Sequence, residues 1–217
     1  MALLPLVVSV NVGSAQPTEH SDADFTGIDK RPVSGPVRIT VPEPGGSGVS
    51  GDALCDTRFH GGEAQAVYAY AREDLDVWAA TLGRVLDNGV FGENLTTSGL
   101  DVTGAVVGER WRIGSVLLEV TAPRIPCRTF AGWLGEQGWI KTFTKRAVPG
   151  AYLRVVEEGD VQAGDSVTVL DRPGHGVSIA EAFRALTTER DLLPRLLEVE
   201  SLAERARKRL GSGGSDD

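Results

Sequence analysis

Short runs of apolar and β-branched residues, each ended by glycine or proline, recur along most of this chain. Runs of this length favour strands, and the turn-forming residues between them favour antiparallel connections. Because few helical periods accompany them, the sequence predicts a mainly β fold with some α, built on a compact β-barrel. The predicted strands lie at residues 7–12, 37–41, 105–107, 110–113, 116–120, 151–156 and 166–170.

The segments between these strands are assigned as turns, with one exception. Residues 129–139 are expected to contain a glycine-punctuated turn, and residues 157–160 and 163–165 are expected to be turns. The exception is residues 71–82, where Leu75, Trp78 and Leu82 recur at helical spacing. This spacing predicts an amphipathic helix that packs on the core, with Trp78 as a core residue and not a platform for a cofactor.

The character of the chain changes after residue 171. Ser178 and Glu181 have the spacing of a helix capping box, Thr188 begins a second helical segment, and Ser201 opens a second capping box. Helices this short need neighbours to pack against. The sequence thus predicts a barrel domain over residues 1–171, a small three-helix unit over residues 172–210 and a disordered tail over residues 211–217.

Charge and cysteine content argue against several classes of function for this chain. A formal net charge of −8 over 217 residues argues against binding to a nucleic acid polymer or to an anionic membrane surface. The two cysteines, Cys55 and Cys127, are too few for a secreted disulfide framework and lack zinc-site spacing, so we expect a cytoplasmic protein.

The apolar N-terminal stretch followed by Gly13-Ser14-Ala15 also resembles a signal-peptide core. No Lys or Arg precedes it, so a first strand is the preferred interpretation. No stretch of the sequence is long and apolar enough to span a bilayer.

The loop Pro123-Arg124-Ile125-Pro126-Cys127-Arg128 carries the candidate reactive group. Pro123 ends the predicted strand, and Pro126 restricts the backbone just before Cys127. Arg124 and Arg128 flank the thiol, and nearby cations favour the thiolate, which attacks electrophiles or ligates a soft metal. A buried structural cysteine fits this loop equally well, because free cysteine is among the most buried residue types.

Two turn-like motifs supply groups suited to an anionic ligand. Lys30 lies in the cationic corner Asp29-Lys30-Arg31-Pro32, and Asn94 follows Glu93 on a short glycine turn. An amide next to a carboxylate can bind the edge of a heterocycle, although each motif alone is more often a plain turn. We assign Glu93 to the turn and not to general-acid catalysis.

The Arg58-Phe59-His60-Gly61-Gly62 motif also suits an anion. Paired glycines let backbone amides approach a ligand closely, with Arg58 and His60 beside them. A lone His-Gly-Gly would usually mark a turn. The neighbouring Arg58 and the two glycines favour a functional role for His60, as a proton donor or as a group that binds the ligand.

The order of these motifs resembles the MOSC family, named for the C-terminal domain of molybdenum cofactor sulfurase, and within it the YiiM-like branch with its three-helix extension. The resemblance extends from about Val7 to Leu210. It rests on GlyIleAspLysArgProVal, ArgPheHisGlyGly, PheGlyGluAsnLeuThr, GlyGluArgTrpArgIleGly, ProArgIleProCys, ProGlyAlaTyrLeuArgVal and AlaGlyAsp, in that order.

The resemblance implies a β-barrel that binds the molybdenum cofactor, molybdopterin. It implies that Cys127 is the functional cysteine and the molybdenum ligand, with His60 as a second catalytic residue. Cys55 matches no family motif and is assigned a structural role. The residues that would line the pterin and its phosphate are Lys30, Arg58, His60, Gly61, Gly62, Asn94, Arg124 and Arg128.

The same resemblance implies reduction of small N-hydroxylated substrates such as hydroxylaminopurine bases. No Gly-X-Gly-X-X-Gly fingerprint lies between a predicted strand and a predicted helix, so electrons are expected from a separate flavin-type reductase. The C-terminal helices would dock this reductase, cover the barrel or form a homodimer contact.

Two alternatives from other classes remain at this point. In the first, Cys127 carries a persulfide received from a pyridoxal-phosphate desulfurase, for assembly of metal-sulfur centres. In the second, the chain is a non-catalytic module that binds the cofactor and protects it. All three functions depend on Cys127.

Overall fold

A computed structural model describes residues 4–58, 60–197 and 199 of the chain. Most of the strands assemble into a single sheet, and helices pack against it. The strands are β1 (Leu6–Gly13), β2 (Gln16–Pro17), β3 (Phe25–Thr26), β4 (Lys30–Pro32), β5 (Val37–Ile39), β6 (Val67–Ala71), β7 (Leu95–Ser98), β8 (Arg110–Ile113), β9 (Val116–Pro123), β10 (Ala151–Glu157), β11 (Gly159–Val161) and β12 (Val167–Asp171). The helices are α1 (Arg72–Leu82), α2 (Arg128–Leu134), α3 (Trp139–Arg146), α4 (Ile179–Thr187) and α5 (Leu193–Leu196), with 3-10 turns at Glu63–Gln65 and Arg190–Leu192.

The main sheet has eight strands in the order β12-β8-β9-β10-β6-β7-β1-β4. Every neighbouring pair is antiparallel except β6 and β7, which are parallel. The remaining strands form the pairs β5–β11 and β2–β3. The predicted mainly β character is confirmed.

The prediction of a closed barrel is wrong, because the edge strands β12 and β4 do not pair. Only the start of β1 approaches β12, through an isolated bridge between Leu6 and Ser166. The backbone N–H of Val7 donates to the carbonyl of Asp165 over 2.9 Å beside this bridge. The end of β1 pairs with β4 instead, so β1 and β12 form no continuous ladder.

Two predicted local structures differ from the fold. Residues 105–107 form no strand; Val106 makes only an isolated bridge to Ser178. The predicted turn at residues 157–160 contains the start of β11, which pairs with β5. Short glycine-containing segments like these become strands only when a distant partner lies alongside them, and local sequence carries no such information.

The helix predicted at residues 71–82 is confirmed as α1. Leu75 and Trp78 are buried, and the helix ends where Gly83 adopts a left-handed conformation and donates its N–H to the carbonyl of Ala79.

Residues 129–139, within which a glycine turn is predicted, also contain most of α2 and the start of α3, two helices that the sequence pattern did not predict. Only residues 135–138 connect the two helices, and the glycines at both ends of this link have positive φ.

A cluster of aromatic side chains joins the helices to the sheet. Trp78 of α1, Phe130 of α2 and Trp139 and Phe143 of α3 surround Phe91, and all five are almost completely buried. The Phe130 and Phe143 rings meet edge to face with centroids 5.3 Å apart. The loop between β9 and α2 packs on this cluster, so its backbone has a rigid support.

The C-terminal segment begins as predicted. Ser178 caps α4 by accepting a hydrogen bond from the N–H of Glu181 over 3.1 Å. The segment predicted to begin at Thr188 contains only a 3-10 turn and the four-residue α5. The third predicted helix and the predicted tail lie outside the described residues, so the three-helix unit stays a prediction.

The boundary proposed at residue 171 coincides with the end of β12. None of the helices in the described part of the chain has the length and apolar character that a membrane crossing requires.

Candidate functional site

A cavity of about 100 Å³ lies where the loop after β9 meets the end of β4, β6 and the loop before β7. The residues that line it include Lys30 from β4, Tyr68 from β6, Asn94 from the loop before β7, and Arg124 and Cys127 from the loop after β9. Four of the motifs singled out in the sequence therefore converge on one cavity.

Cys127 lies at the junction of the loop and α2. Its backbone is extended (φ −130°, ψ 173°), and its carbonyl accepts the first hydrogen bond of the helix from the N–H of Ala131 over 3.1 Å. The side chain is half-buried, packs against the aromatic cluster and is a free thiol. Cys127 is thus fixed by α2 on one side and by Pro126 on the other, with its side chain in the cavity wall.

Arg124 contributes a buried positive charge. The residue is 5% exposed, and its guanidinium lies over the rings of Phe130 and Tyr68, at 4.2 and 5.2 Å from their centroids. Nη1 donates to the carbonyl of Phe91. Within the described residues Nε is buried without a hydrogen-bond partner, and no carboxylate forms an ion pair with Arg124.

The acidic groups around Arg124 act on its pKa. Burial of the guanidinium works to lower the pKa of Arg124, but Tyr68 first, then Tyr152, Cys127 and the buried carboxylate of Glu93, outweigh burial and keep this pKa above the usual range. Arg124 is therefore a permanent cation close enough to Cys127 to interact with it electrostatically.

Lys30 is also buried, but its charge is compensated. Its ammonium donates to Oδ1 of Asp52, whose side chain is 2% exposed. Burial lowers the pKa of Lys30, and Asp52 opposes this effect. Oδ2 of Asp52 accepts from Ser47 and from Asn94, each over 2.9 Å.

The amide of Asn94 is occupied by protein partners. Its Oδ1 accepts from the N–H of Tyr68 over 3.1 Å, and Nδ2 donates to Asp52 and to the carbonyl of Asn11. Asn94 lies in the cavity wall, but these bonds make it a group that orders the wall and leave little capacity for a ligand.

The His60-Gly61-Gly62 motif reaches the cavity in part. His60 and Gly61 line it, whereas Gly62 is not among its wall residues. Gly61 has φ +82°, and a Cβ there would overlap Leu54. Glycine is therefore required at this point of close approach.

Arg58 and Arg128 lie outside the cavity wall and are more than half exposed. Both are close to Asp22, with Nη2 of Arg128 at 2.7 Å from Oδ1 and Nη2 of Arg58 at 3.7 Å from Oδ2. Arg58 also pairs with Asp56 over 3.2 Å. These two predicted cofactor-binding residues are placed together, but at Asp22 and not in the cavity.

Glu93 is a turn residue, as expected. It is completely buried and accepts from the N–H of Phe91 over 3.0 Å and from the hydroxyl of Thr96 over 2.9 Å. Burial raises its pKa, and hydrogen bonds from Gly89, Thr96 and Phe91 oppose the rise.

Several residues of the cavity wall were missed from the sequence. Asp52, Gln65, Tyr68 and Tyr152 line it, and so does Cys55, which was assigned a purely structural role. Burial raises the pKa of the Cys55 thiol. Among the described residues, Oε1 of Gln65 is buried without a partner. Asp52, next to Gly51, offered no signal, because its partners lie 5 to 42 positions away in sequence.

These groups suit an anionic cofactor with a soft metal. Arg124 offers an uncompensated buried cation with a free Nε, and Cys127 offers a thiol, the kind of donor that soft metals prefer. No group of three or more His, Cys, Asp or Glu in the described chain could hold a metal, so a metal here would need most of its ligands from the cofactor. The cavity is smaller than the roughly 300–1,000 Å³ typical of ligand pockets.

Comparisons with known proteins identify the family of this chain. Residues 56–168 match the model of the MOSC domain. The chain is 34% identical over 179 residues to protein YflK of Bacillus subtilis, a match that covers 82% of this chain and 79% of YflK. It is 28% identical over 179 residues to a protein of Gibberella moniliformis named reductase, covering 81% of this chain but only 31% of that protein.

The fold has a solved counterpart. The crystal structure of YiiM from Geobacillus stearothermophilus matches with a TM-score of 0.79 and 27% identity, over 96% of this chain and 98% of that one. The MOSC model covers more than half of the 217 residues and includes the segment that carries Cys127. The chain therefore belongs to the MOSC domain family, whose members bind the molybdenum cofactor.

Proposed function

We propose that this protein binds the molybdenum cofactor in the cavity at Cys127 and reduces small N-hydroxylated compounds such as hydroxylaminopurine bases. The observation that carries the proposal is that one cavity of a MOSC domain holds a free thiol and a buried guanidinium whose Nε has no hydrogen-bond partner among the described residues. A thiolate and a fixed cation are what an anionic cofactor with a soft metal needs from the protein.

Each wall residue has a separate part in this proposal. Cys127 ligates the metal, and Arg124 directs its free Nε to an anionic group of the cofactor. Lys30, Asp52 and Asn94 keep the opposite wall in place through their mutual hydrogen bonds. When bound, the cofactor supplies the two-electron chemistry that removes oxygen from an N-hydroxyl group, and the protein supplies position and charge.

His60 lies in the wall at a position from which an imidazole could supply a proton to the departing oxygen. Gln65 lies in the same wall, and its buried Oε1 lacks a partner among the described residues. We assign it to hydrogen bonding with an N–H of the cofactor or of the purine.

Electrons would come from a separate reductase of the flavin type. Residues 46–51 do match the pattern Gly-X-Gly-X-X-Gly, but they lie in a loop that leads into no helix. Such a loop lacks the helix N-terminus that binds a pyrophosphate in dinucleotide-binding folds. The match covers only 31% of the fungal relative named reductase, so most of that protein lies outside the matched part.

A sulfur-carrier function is the second candidate, and one observation favours it. Cys55 lines the same cavity as Cys127, so a persulfide on Cys127 would have a second thiol in its surroundings. This function needs a nucleophilic Cys127, which the nearby Arg124 cation would also favour, but it gives no reason for the buried Nε of Arg124 that lacks a partner among the described residues.

The test is turnover with an artificial electron donor. The protein would be produced in a host that makes the cofactor and assayed with reduced viologen and 6-hydroxylaminopurine. We expect turnover by the wild type and by the matched control Cys55→Ser. Removal of a residue that only hydrogen-bonds to a metal ligand typically costs about 10- to 100-fold in activity. Because Cys127 is proposed to be a ligand itself, the turnover rate of Cys127→Ser should fall by more than this. Absence of turnover together with a mass gain of one sulfur atom on Cys127 would instead favour the sulfur carrier.

A further inference from the structure

A small hairpin forms one side of the cavity. It runs from residue 16 to residue 26 and contains β2 and β3, which pair only through Gln16 with Thr26 and Pro17 with Phe25. Ser21, Phe25 and Thr26 of this hairpin line the cavity, opposite the loop that carries Cys127. The hairpin and the loop that carries Cys127 thus line the same cavity.

Polar contacts attach the tip of the hairpin to the start of α2. The hydroxyl of Thr129 donates to the carbonyl of His20 over 3.0 Å, and Nε of Arg128 donates to the same carbonyl over 3.3 Å. Nη2 of Arg128 also donates to Oδ1 of Asp22 over 2.7 Å. On the other side, Arg58 approaches Oδ2 of Asp22 to 3.7 Å. One carboxylate therefore links two arginines from separate segments.

The two arms of the hairpin are joined weakly, because the ladder is extended by only one further hydrogen bond of the described backbone, from the N–H of Thr18 to the carbonyl of Asp24 over 2.9 Å. Its ladder is two residues long, and Phe25 is 47% exposed. Of residues 16–26 only Ser21 is buried. Segments with few buried apolar contacts open at low free-energy cost, whereas the aromatic cluster below α2 does not.

We propose that residues 16–26 form a lid over the Cys127 cavity, held closed by the Asp22 carboxylate between Arg58 and Arg128. The cavity of about 100 Å³ is too small for a whole cofactor while the hairpin lies across it. An anionic group that arrives at the mouth would compete with Asp22 for the two arginines. The identity of that ligand rests on the proposed function, but the existence of the lid does not.

The test measures access to Cys127 without any cofactor. In a Cys55→Ser background, the rate at which a neutral dipyridyl disulfide modifies Cys127 is followed by the absorbance of the released thiopyridone. Exposed ion pairs contribute up to about 1 kcal/mol, so Asp22→Asn should raise this rate by up to about fivefold. Added salt should raise the wild-type rate and have less effect on the variant.

Asp24→Asn is the matched control. It removes the same charge from the same hairpin, and Asp24 has no ion pair within the described chain. Its rate should equal that of the wild type. An equal labelling rate for Asp22→Asn and Asp24→Asn would contradict the proposal that the Asp22 carboxylate holds the lid closed.

Gly132→Ala tests the lid without a change of charge. A Cβ on Gly132 would overlap the ring of His20, so the methyl group should push the hairpin tip away from α2 and raise the labelling rate. If Gly132→Ala also labels at the wild-type rate, the lid proposal fails. The cofactor proposal would be unaffected by that result, because its own test measures turnover.

Discussion

Two buried cations in the cavity wall have different surroundings. Lys30 is matched by Asp52, whereas Arg124 has no carboxylate partner among the described residues and keeps a buried Nε without an acceptor. The Phe91 carbonyl and the rings of Phe130 and Tyr68 satisfy part of this guanidinium, but a buried N–H donor without an acceptor is costly, and perturbed buried charges cluster at functional sites. At the scale of single residues, Arg124 is therefore the strongest indication of an anion in this cavity.

Replacing Asp52 should destabilise the fold, because it leaves the buried Lys30 ammonium without its counter-charge. Breaking a buried ion pair from one side costs about 3–5 kcal/mol, and we expect Asp52→Asn to lower the free energy of unfolding by about 3 kcal/mol. Urea unfolding at neutral pH measures this change.

Asp24→Asn is again the control, with an expected change within about 0.5 kcal/mol for an exposed residue. A similar, small change for both variants would show that the Lys30–Asp52 pair contributes little to stability.

Sequence identified the reactive candidates better than their partners. Cys127, Arg124, Lys30 and His60 stand in recognisable motifs and do line one cavity. Asp52 was missed because its importance comes from four hydrogen-bonding partners, three of which lie 22 to 42 positions away along the chain.

At the scale of the elements, helix α1 carries an unusual acid in its first turn. Burial, then the charges of Asp101 and Glu73, raise the pKa of Asp74 to about 6, while Arg146 and Thr103 oppose the rise. The folded state therefore binds this proton more tightly than the unfolded state, whose carboxyl has a pKa near 3.8. The stabilising effect is complete below about pH 4 and is lost as the pH rises through 6.

Asp74→Asn should remove the loss of folding stability that accompanies a rise in pH. Between pH 4.5 and 7.5 the wild type should lose about 1–2 kcal/mol more stability than Asp74→Asn, after allowance for partial exposure to solvent. Urea unfolding of both proteins at the two pH values gives the difference. Parallel pH profiles would contradict the assigned pKa.

Elements with a strong local pattern were predicted correctly, and those that depend on distant partners were not. The spacing of Leu75 and Trp78 identified α1, and Ser178 and Glu181 identified the start of α4. Helices α2 and α3 were missed because each has only two turns and their connecting glycines dominate the pattern. Strand β11 exists only because β5 lies beside it.

At the scale of the whole molecule, the cavity depends on contacts between distant parts of the chain. The segment from β4 to β6 supplies one wall, the loop after β9 supplies the thiol, and residues 16–26 lie across the opening. The order of motifs in the sequence indicated the family, but the sheet remains open where a closed barrel was expected. The sheet stays open because the end of β1 pairs with β4 and not with β12. A pattern of short strands in the sequence does not reveal which strands pair.

The central claim is that Cys127 holds molybdenum through its thiolate. The most direct test is the amount of molybdenum and of oxidised pterin per chain, in wild type and Cys127→Ser produced in a host that makes the cofactor. We expect close to one molybdenum and one pterin per chain in the wild type. In Cys127→Ser we expect pterin without firmly bound molybdenum. Equal molybdenum in both proteins, or neither metal nor pterin in the wild type, would contradict the central claim.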